Sequence, residues 1–436
     1  MNSGIDGQSD QKDTEELTLK DSNSSQRSLG LDAKCDAPTG YSRWLLSRLD
    51  SLPAYIFDIF HTGHRDHHDL FARVSISVTK TATRNSSVTI DEIIHELVVE
   101  GILAPETLAE KLNYARYFIF IVLGFQTALY CPSPLDSDDR PPRQLSIAED
   151  YGCCNYTHSV LSQDINVCAH EPISELLMGF GVLLPSKNLC LADEPNILHA
   201  FQQQVELEPK TFNAYALHSL AGLKFKWTDA LACHLEFNQT TKEISLFRFP
   251  TFCHSCLAKY ELGKGREKGG VLLHACATTS RLRCQWATEE EINHFLQEVI
   301  LSYRLLFGQT KKSRALFRRS VDPFLHWHGQ MREMKDPILS ILCGSRSSGL
   351  ALQPDLHEVN QKETYHLPRD FPILRYRLVV LQSCLSTTMP RTVAQLWRDK
   401  RNSANWMTFW AVIVFGVFGS VMGFLQVVLQ FAQLFM

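Results

Sequence analysis

The chain has 436 residues, of which 44% are hydrophobic and 21% charged, and its formal net charge is −4. This composition is normal for a globular protein, and the length suffices for two ordinary domains or one large one. The slightly acidic balance gives no electrostatic footprint of a nucleic-acid binder. Thirteen cysteines at irregular spacing do not form a disulfide scaffold, which favours a reducing compartment.

The N-terminal segment, residues 1–38, is rich in Ser, Asp, Gln and Lys and has few large apolar side chains. Such a segment cannot bury enough apolar surface to offset the entropy lost on ordering, so we expect it to be disordered. It also lacks the basic region and the apolar region of a secretory signal.

Two consecutive helices are predicted around residues 89–130. Thr89 and Glu92 have the spacing of a capping box, Gly101 ends the first helix, and Pro105 suits the first turn of the second. The second helix has a core-facing stripe formed by Leu108, Leu112, Ala115 and Phe118. The run "YFIFIVLGFQTALY" that follows has only 14 residues. Because a membrane span needs about 20, we expect a buried core helix.

The rest of the soluble region reads as mainly helical with one β element. Residues 131–150, with four prolines, predict a loop and a candidate subdomain boundary. Alternating segments on both sides of Asn-Gln-Thr-Thr (238–241) predict a hairpin. Thr288 and Glu291 predict a second capped helix, with Ile292, Phe295, Leu296, Val299 and Tyr303 on its inner face and Gly308 at its end. The predicted fold is mainly α, with a small antiparallel β element, over residues 39–400.

The C-terminal tail predicts a transmembrane helix over residues 405–433. The last charged side chain is Arg401, and the 35 residues after it carry none. Phe409 to Val428 would span about 30 Å, the thickness of bilayer hydrocarbon. Trp406 and Trp410 suit the headgroup layer, and Arg398, Lys400 and Arg401 precede the span. The positive-inside rule then places the N-terminal region in the cytosol. The uncharged C-terminus favours the endoplasmic reticulum or secretory membranes. The alternative is the central helix of a soluble core.

Within this tail, six residues recur at alternating spacings of three and four, and they lie in one narrow stripe. They are Gly416, Gly419, Gly423, Gln426, Gln430 and Gln433. Small residues let helices approach closely in lipid, and amides hydrogen-bond between helices. The stripe therefore predicts self-association or a helical partner. The alternative is that glycine is simply common in membrane helices and that the last amides lie in the headgroup layer.

Several local motifs resemble sites but lack essential parts. Ser219 and His218 resemble a hydrolase nucleophile elbow, but Leu217 stands where that turn needs glycine. The histidine-rich run His61–His68 is more typical of a solvated loop than of a metal site. Cys253 and Cys256 have zinc-like spacing, with His274, Cys276 and Cys284 as further ligand candidates, but structural cysteines are favoured. We expect no catalytic residue, cofactor or metal.

The basic cluster that follows Gly308 leaves two interpretations open. It contains Lys311, Lys312, Arg314, Arg318 and Arg319. Basic residues are typical of a solvated helical face near a helix C-terminus. They are also typical of contact with acidic lipid headgroups.

Four stretches carry a resemblance to known sequences. They are "LKFKWTDALACHLEF", "YRLLFGQTKKSRALF", "RDFPILRYRLVVLQ" and "LWRDKRNSANWMTFWAVIVFG". They resemble a large group of uncharacterised fungal (ascomycete-type) proteins that also end in a glycine- and glutamine-containing hydrophobic tail. The resemblance covers roughly residues 70–436 and is clearest in the last 70. It implies a fungal source and membrane association, and it carries no activity that could be transferred.

The leading functional prediction is a tail-anchored membrane protein that acts as a cytosol-facing adaptor or scaffold. It rests on the single span and on the lack of a recognisable catalytic site. The alternatives are an enzyme with an unrecognised site and a subunit of an oligomeric membrane assembly. The predicted partners are the lipid bilayer and a second copy of the tail helix, and no nucleic acid.

Overall fold

The computed structural model of the protein describes twelve stretches of the chain: residues 40–60, 67–85, 87–134, 141–148, 161–181, 199, 201–263, 271–277, 287–325, 335–344, 362–388 and 403–434. The segment that is predicted to be disordered, residues 1–38, lies outside them. So do most of the histidine-rich run, Cys284, and three of the predicted membrane-flanking residues: Arg398, Lys400 and Arg401.

Helices dominate the described residues, as the sequence predicts. They are α1 (Gly40–Asp50), α2 (His67–Arg84), α3 (Ile90–Val99), α4 (Pro105–Thr127), α5 (Ile165–Cys168), α6 (Ile173–Gly179), α7 (Ala214–Ser219), α8 (Pro250–Gly263), α9 (Leu272–Ala277), α10 (Glu289–Tyr303), α11 (Lys311–Leu316), α12 (Pro337–Leu342), α13 (Leu367–Asp370), α14 (Arg375–Thr387) and α15 (Ser403–Leu434). Short 3₁₀ helices cover Ala54–Ile59 and Leu231–Cys233, and π-helical turns extend α10 over Arg304–Gly308 and α11 over Phe317–Val321.

The β structure consists of three small sheets. Its strands are β1 (Gln144–Ser146), β2 (Ser162–Asp164), β3 (Glu206–Leu207), β4 (Lys224–Thr228), β5 (Phe237–Asn238), β6 (Glu243–Phe247) and β7 (Tyr365–His366). β1 pairs with β2 and β3 with β7, both antiparallel, and a three-stranded sheet has the order β4-β6-β5. The predicted class, mainly α with a small antiparallel element, is confirmed.

The predicted hairpin needs one correction. β5 and β6 pair antiparallel across the Asn-Gln-Thr-Thr turn, as expected. The alternating segment upstream, β4, instead lies on the other side of β6 and runs parallel to it. Residues 229–242 provide the crossover that a parallel pair requires. The burial supports this order, because β6 is almost fully buried while β4 alternates between exposed and half-buried positions, as an edge strand does.

One hydrophobic core joins the described elements that precede α15, and α4 lies within it. The core includes residues from Tyr41 to Leu385, on both sides of the predicted boundary at 131–150. Phe118, Phe120 and Val122 of α4 are completely buried, so the short apolar run is a core helix, as predicted. The predicted loop contains β1. An isolated β-bridge pairs Pro132, near the beginning of the loop, with Ile147, just after β1. The subdomain boundary itself stays a prediction.

The helix-capping predictions are confirmed in detail. Thr89 accepts a hydrogen bond from the Glu92 backbone N–H, and the Glu92 side chain accepts one from the Thr89 N–H. Thr288 and Glu291 form the same reciprocal pair at the start of α10. Each pair satisfies two of the backbone donors that a helix N-terminus leaves free. Gly101 ends α3 with φ of 70°, a left-handed conformation that glycine adopts without strain.

Candidate membrane anchor

The C-terminal helix α15 is long and apolar enough to cross a membrane. Within the described residues it is the one helix that meets both conditions, over Trp410–Phe431, with a mean hydropathy of 2.3. These 22 residues extend about 33 Å at 1.5 Å per residue, and bilayer hydrocarbon is about 30 Å thick. Trp410 lies at the first position of the span. The side chain of the second predicted tryptophan, Trp406, lies outside the described residues.

Exposure separates this helix from the buried apolar helix of the same protein. None of the span is buried, and large side chains such as Phe415 and Phe424 are 75% and 71% exposed. In α4, the comparably apolar Phe118 and Phe120 are 0% exposed. A central helix of a soluble core packs its apolar side chains on all sides. The exposure of α15 therefore contradicts the alternative of a core helix.

The small residues of the predicted stripe lie on α15 with free space around them. Apart from the neighbouring residues and backbone of α15 itself, no atom lies within 4 Å of the position that a Cβ would take at Gly416, Gly419 or Gly423. The Ser420 hydroxyl donates to the Gly416 carbonyl oxygen at 2.9 Å, so this side chain folds back onto its own helix. The amide-bearing half of the stripe is exposed too, at Gln426, Gln430 and Gln433. The stripe is sterically open to a second helix, and association through it stays a prediction.

The residues of the supposed nucleophile elbow do not face one another. The Ser219 hydroxyl donates to the Tyr215 carbonyl oxygen at 2.7 Å, within α7. The His218 Nδ1 lies 3.0 Å from the Leu223 carbonyl oxygen. A nucleophilic serine would instead donate to its histidine. Both side chains therefore contact backbone carbonyl oxygens close to them in the chain, and they do not contact each other.

The zinc-like cysteines lie in the core. Cys253 and Cys256 are buried on α8, and Cys276 is buried on α9. Burial raises the pKa of the Cys256 and Cys276 thiols to about 12, and it also raises the pKa of the Cys253 thiol well above its ordinary value. A thiol with so high a pKa is protonated and inert at neutral pH. Among the described residues, no group of three or more His, Cys, Asp and Glu side chains could hold a metal ion.

The described end of the histidine-rich run has structural contacts. His67 stacks on Phe57, with ring centroids 3.9 Å apart. The His68 Nε2 lies 2.7 Å from a carboxylate oxygen of Asp50, at the end of α1. Both contacts join α2 to the segment that precedes it.

Buried polar residues, which sequence reasoning missed, form hydrogen-bonded clusters in the core. Asp336 is fully buried and accepts three hydrogen bonds: from the Thr251 N–H (3.0 Å), the Thr251 hydroxyl (2.7 Å) and the Leu339 N–H (2.9 Å). It thereby caps α12 and fixes it to the start of α8. Burial raises its pKa to about 6, although the hydrogen bonds from Thr251 and the backbone oppose that rise.

Glu298 plays the same role at the start of α14, where it accepts hydrogen bonds from backbone N–H groups. It is 2% exposed, and its carboxyl oxygens accept hydrogen bonds from the Ile373 N–H at 2.9 Å and the Leu374 N–H at 2.6 Å. Burial raises its pKa to about 8, against the lowering effect of these two backbone donors. At neutral pH the folded protein therefore keeps a largely protonated carboxyl at this position.

His234 is buried in its neutral form. Its Nδ1 accepts a hydrogen bond from the Phe247 N–H at 3.2 Å, so the proton lies on Nε2. The Nε2–H donates to the Ser302 hydroxyl at 2.8 Å, and Ser302 donates onward to the Val299 carbonyl oxygen at 2.7 Å. Burial, and then the nearby Arg377 guanidinium, lower the His234 pKa to about 3. Because every polar atom of the ring has a partner, this cluster is structural.

The third buried carboxylate, Asp229, is held between two arginines. One oxygen lies 2.8 Å from the Arg248 Nε, and the other lies 3.5 Å from an Arg48 guanidinium nitrogen. Arg48 also lies over the Trp44 ring. These contacts join α1 to the segments flanking β4 and β6.

The basic cluster occupies the outer face of α11 and its π-helical extension. Lys311, Lys312, Arg318 and Arg319 are exposed, whereas Arg314 folds inward to donate to the Gly308 carbonyl oxygen at 2.7 Å. We call the four exposed side chains the basic face.

Comparison with known proteins yields no relative: no family model, no curated protein and no solved structure matches this chain.

Proposed function

We propose that this chain is a tail-anchored, single-pass membrane protein whose region before α15 faces the cytosol and acts as an adaptor or scaffold. The observation that carries the proposal is that no part of Trp410–Phe431 is buried. Surface of this size and apolarity is not stable in water and is stable in lipid. The cationic side chains before the span and their absence after it support the orientation. The charge pattern after the span favours endoplasmic reticulum or secretory membranes.

The anchor is tested by alkaline carbonate extraction of membranes. Full-length protein is expected to stay in the membrane pellet, because carbonate removes peripheral proteins and leaves spanning helices in place. A variant ending at Ser403 lacks the span and is expected in the supernatant. A second variant with the apolar Val414 and Val421 changed to leucine keeps the hydropathy and should pellet like the full chain. Extraction of the full-length protein would contradict the anchor.

The orientation is tested by protease treatment of sealed microsomes. A tag at the N-terminus is expected to be digested without detergent, since residues before the span face outward. A short tag placed after Met436 is expected to be protected until detergent opens the vesicles. The reverse pattern would contradict the orientation while leaving the anchor intact.

A second candidate function is assembly through the small-residue stripe. It is favoured by the open space at Gly416, Gly419 and Gly423 and by three exposed amides on the same helix. In lipid, an amide without a partner is unfavourable, so a second helix that supplies one stabilises the pair. The partner would be a second copy of α15, which presents the same stripe and so forms a symmetric contact.

Replacing Gly419 and Gly423 with leucine is expected to abolish this assembly. Each leucine would fill the space through which the second backbone approaches. The measurement is co-precipitation of two differently tagged full-length copies from detergent. The matched control changes Val414 and Val421 to leucine on the opposite side of α15, and it should keep full recovery. Unchanged recovery of the glycine variant would rule out the stripe as the contact.

A further inference from the structure

The element that carries the basic face has an unusual local charge. Five of the nine residues 311–319 are Lys or Arg and none is acidic, in a chain whose net charge is −4. The elements packed against α11 are α7, the turn Arg304–Gly308 and the turn Phe317–Val321. None of the three contains Asp or Glu, and the turn Arg304–Gly308 adds one further arginine, Arg304. No carboxylate within this group of elements neutralises the basic face.

The nearest acidic residue along the chain is already engaged. Asp322 follows the turn Phe317–Val321, and its carboxylate lies 3.3 Å from the Lys335 ammonium. Its other oxygen accepts a hydrogen bond from the Phe324 N–H at 3.0 Å. The positive potential of the basic face is therefore directed towards solvent.

The inner side of the same element is held firmly, so the basic face has a fixed direction. Ser313 is fully buried, and its hydroxyl donates to the Asn213 side chain at 3.0 Å and accepts from the Tyr215 N–H at 3.2 Å. Phe317 packs edge-on against Phe307, with ring centroids 5.4 Å apart. Burial of these residues leaves the cationic side chains at positions 311, 312, 318 and 319 on the opposite, solvent side.

We propose that the basic face is a contact surface for anionic phospholipid headgroups. The inference rests on the proposed anchor, since a spanning helix in the same chain keeps the rest of the chain close to a bilayer. Clusters of four or more Lys and Arg near a membrane bind acidic lipids by their summed charge. Two half-buried aromatic residues flank the element: Tyr215, whose ring lies 5.0 Å from the Lys312 ammonium, and Trp227, which donates to the Val321 carbonyl oxygen. Amphipathic rings of this kind suit the headgroup layer.

The contact is tested by photo-crosslinking in reconstituted membranes. Full-length protein carries p-benzoylphenylalanine in place of Ser320, an exposed position beside Arg319. It is reconstituted into phosphatidylcholine vesicles with or without 30% phosphatidylserine, and both lipids carry the same fraction of molecules with a clickable acyl chain. The crosslinking yield at Ser320 is expected to rise several-fold with phosphatidylserine and to fall again in 0.5 M salt, because salt screens headgroup attraction. A probe at Thr240, on the β5–β6 turn, should show no such rise.

A charge-reversal variant tests the residues themselves. Changing all four basic-face residues to glutamate should remove the phosphatidylserine-dependent yield. A matched variant with the same charge change at exposed positions elsewhere should retain it; its substitutions are R143E, K224E, K226E and K242E. Far-ultraviolet circular dichroism checks that both variants keep their helix content.

The outcomes separate this inference from the anchor. If the protein floats with the vesicles but its yield does not depend on phosphatidylserine, the anchor stands and the headgroup contact is wrong. If the matched variant loses the yield as fully as the basic-face variant, the basic face is not the specific contact. If the full-length protein fails to float in either lipid mixture, the anchor itself is wrong.

Discussion

Changing Asp336 to alanine is expected to destabilise the protein by about 3–5 kcal/mol. The substitution leaves two backbone N–H groups and the Thr251 hydroxyl without their acceptor in a fully buried position. Each unsatisfied buried group costs about 1–3 kcal/mol, and loss of a helix N-cap adds about 1. The measurement is urea unfolding of the full-length protein in detergent, followed by far-ultraviolet circular dichroism.

Two further variants make this experiment specific. Changing Asp336 to asparagine retains one acceptor oxygen and should have an intermediate effect. Changing Thr288 to alanine removes an exposed N-cap on α10 and should cost only about 1 kcal/mol, because water replaces the lost acceptor. Equal effects of the Asp336 and Thr288 alanine substitutions would show that burial does not matter here, contrary to the structure.

The second expected result is a change in pH dependence when Glu298 becomes glutamine. Between the ordinary glutamate pKa of 4.5 and the raised value of about 8, the folded protein holds a proton that the unfolded chain releases. The contribution of Glu298 to the free energy of unfolding is fully present below pH 4.5. It is lost as the pH rises towards 8, by up to about 4 kcal/mol. Glutamine reproduces the protonated carboxyl, since one oxygen can accept from both Ile373 and Leu374, and so removes this slope.

The free energies of unfolding of the full-length wild type and the Glu298→Gln variant are compared at pH 5 and pH 8. Other groups with shifted pKa values also contribute, among them Asp336 in the same direction below about pH 6 and His234 in the opposite direction between about pH 6.5 and 3. All of them are present in the variant, so the difference between the two proteins isolates Glu298. The variant should gain much more stability over the wild type at pH 8 than at pH 5. Glu290, exposed on the same helix, supplies the control substitution to glutamine. Parallel pH profiles would contradict the raised pKa.

The features predictable from the sequence are those that depend on neighbouring residues. Both capping boxes, the glycine stop at Gly101 and the buried run in α4 are set by spacings of three or four residues, which the sequence displays directly. The length and apolarity of α15 are equally local. The exposure of α15 does not depend on neighbouring residues, so only the structure shows it: the apolar residues of α4 are buried and those of α15 are not.

The buried polar clusters could not be predicted in this way. Thr251 and Asp336 are 85 positions apart, and Glu298 and Ile373 are 75 apart. An isolated Asp or Glu in a sequence indicates a surface position, because burial of a charge is unfavourable without partners. The parallel pairing of β4 with β6 was missed for the same reason, since an alternating pattern identifies a strand but not its neighbour. One signal was available: Asp336 directly precedes Pro337, a typical N-cap followed by a first-turn proline.

The length of the apolar span has a consequence for lipid thickness. At about 33 Å, Trp410–Phe431 matches the hydrocarbon of a sterol-rich plasma membrane, which is about 32–33 Å thick, and exceeds the roughly 27 Å of the endoplasmic reticulum. In the thinner bilayer this hydrophobic mismatch is relieved when the helix tilts or when the surrounding lipid thickens, and each costs a fraction of a kcal/mol per ångström. For the anchor proposed above, transfer to thicker membranes along the secretory route would relieve the mismatch.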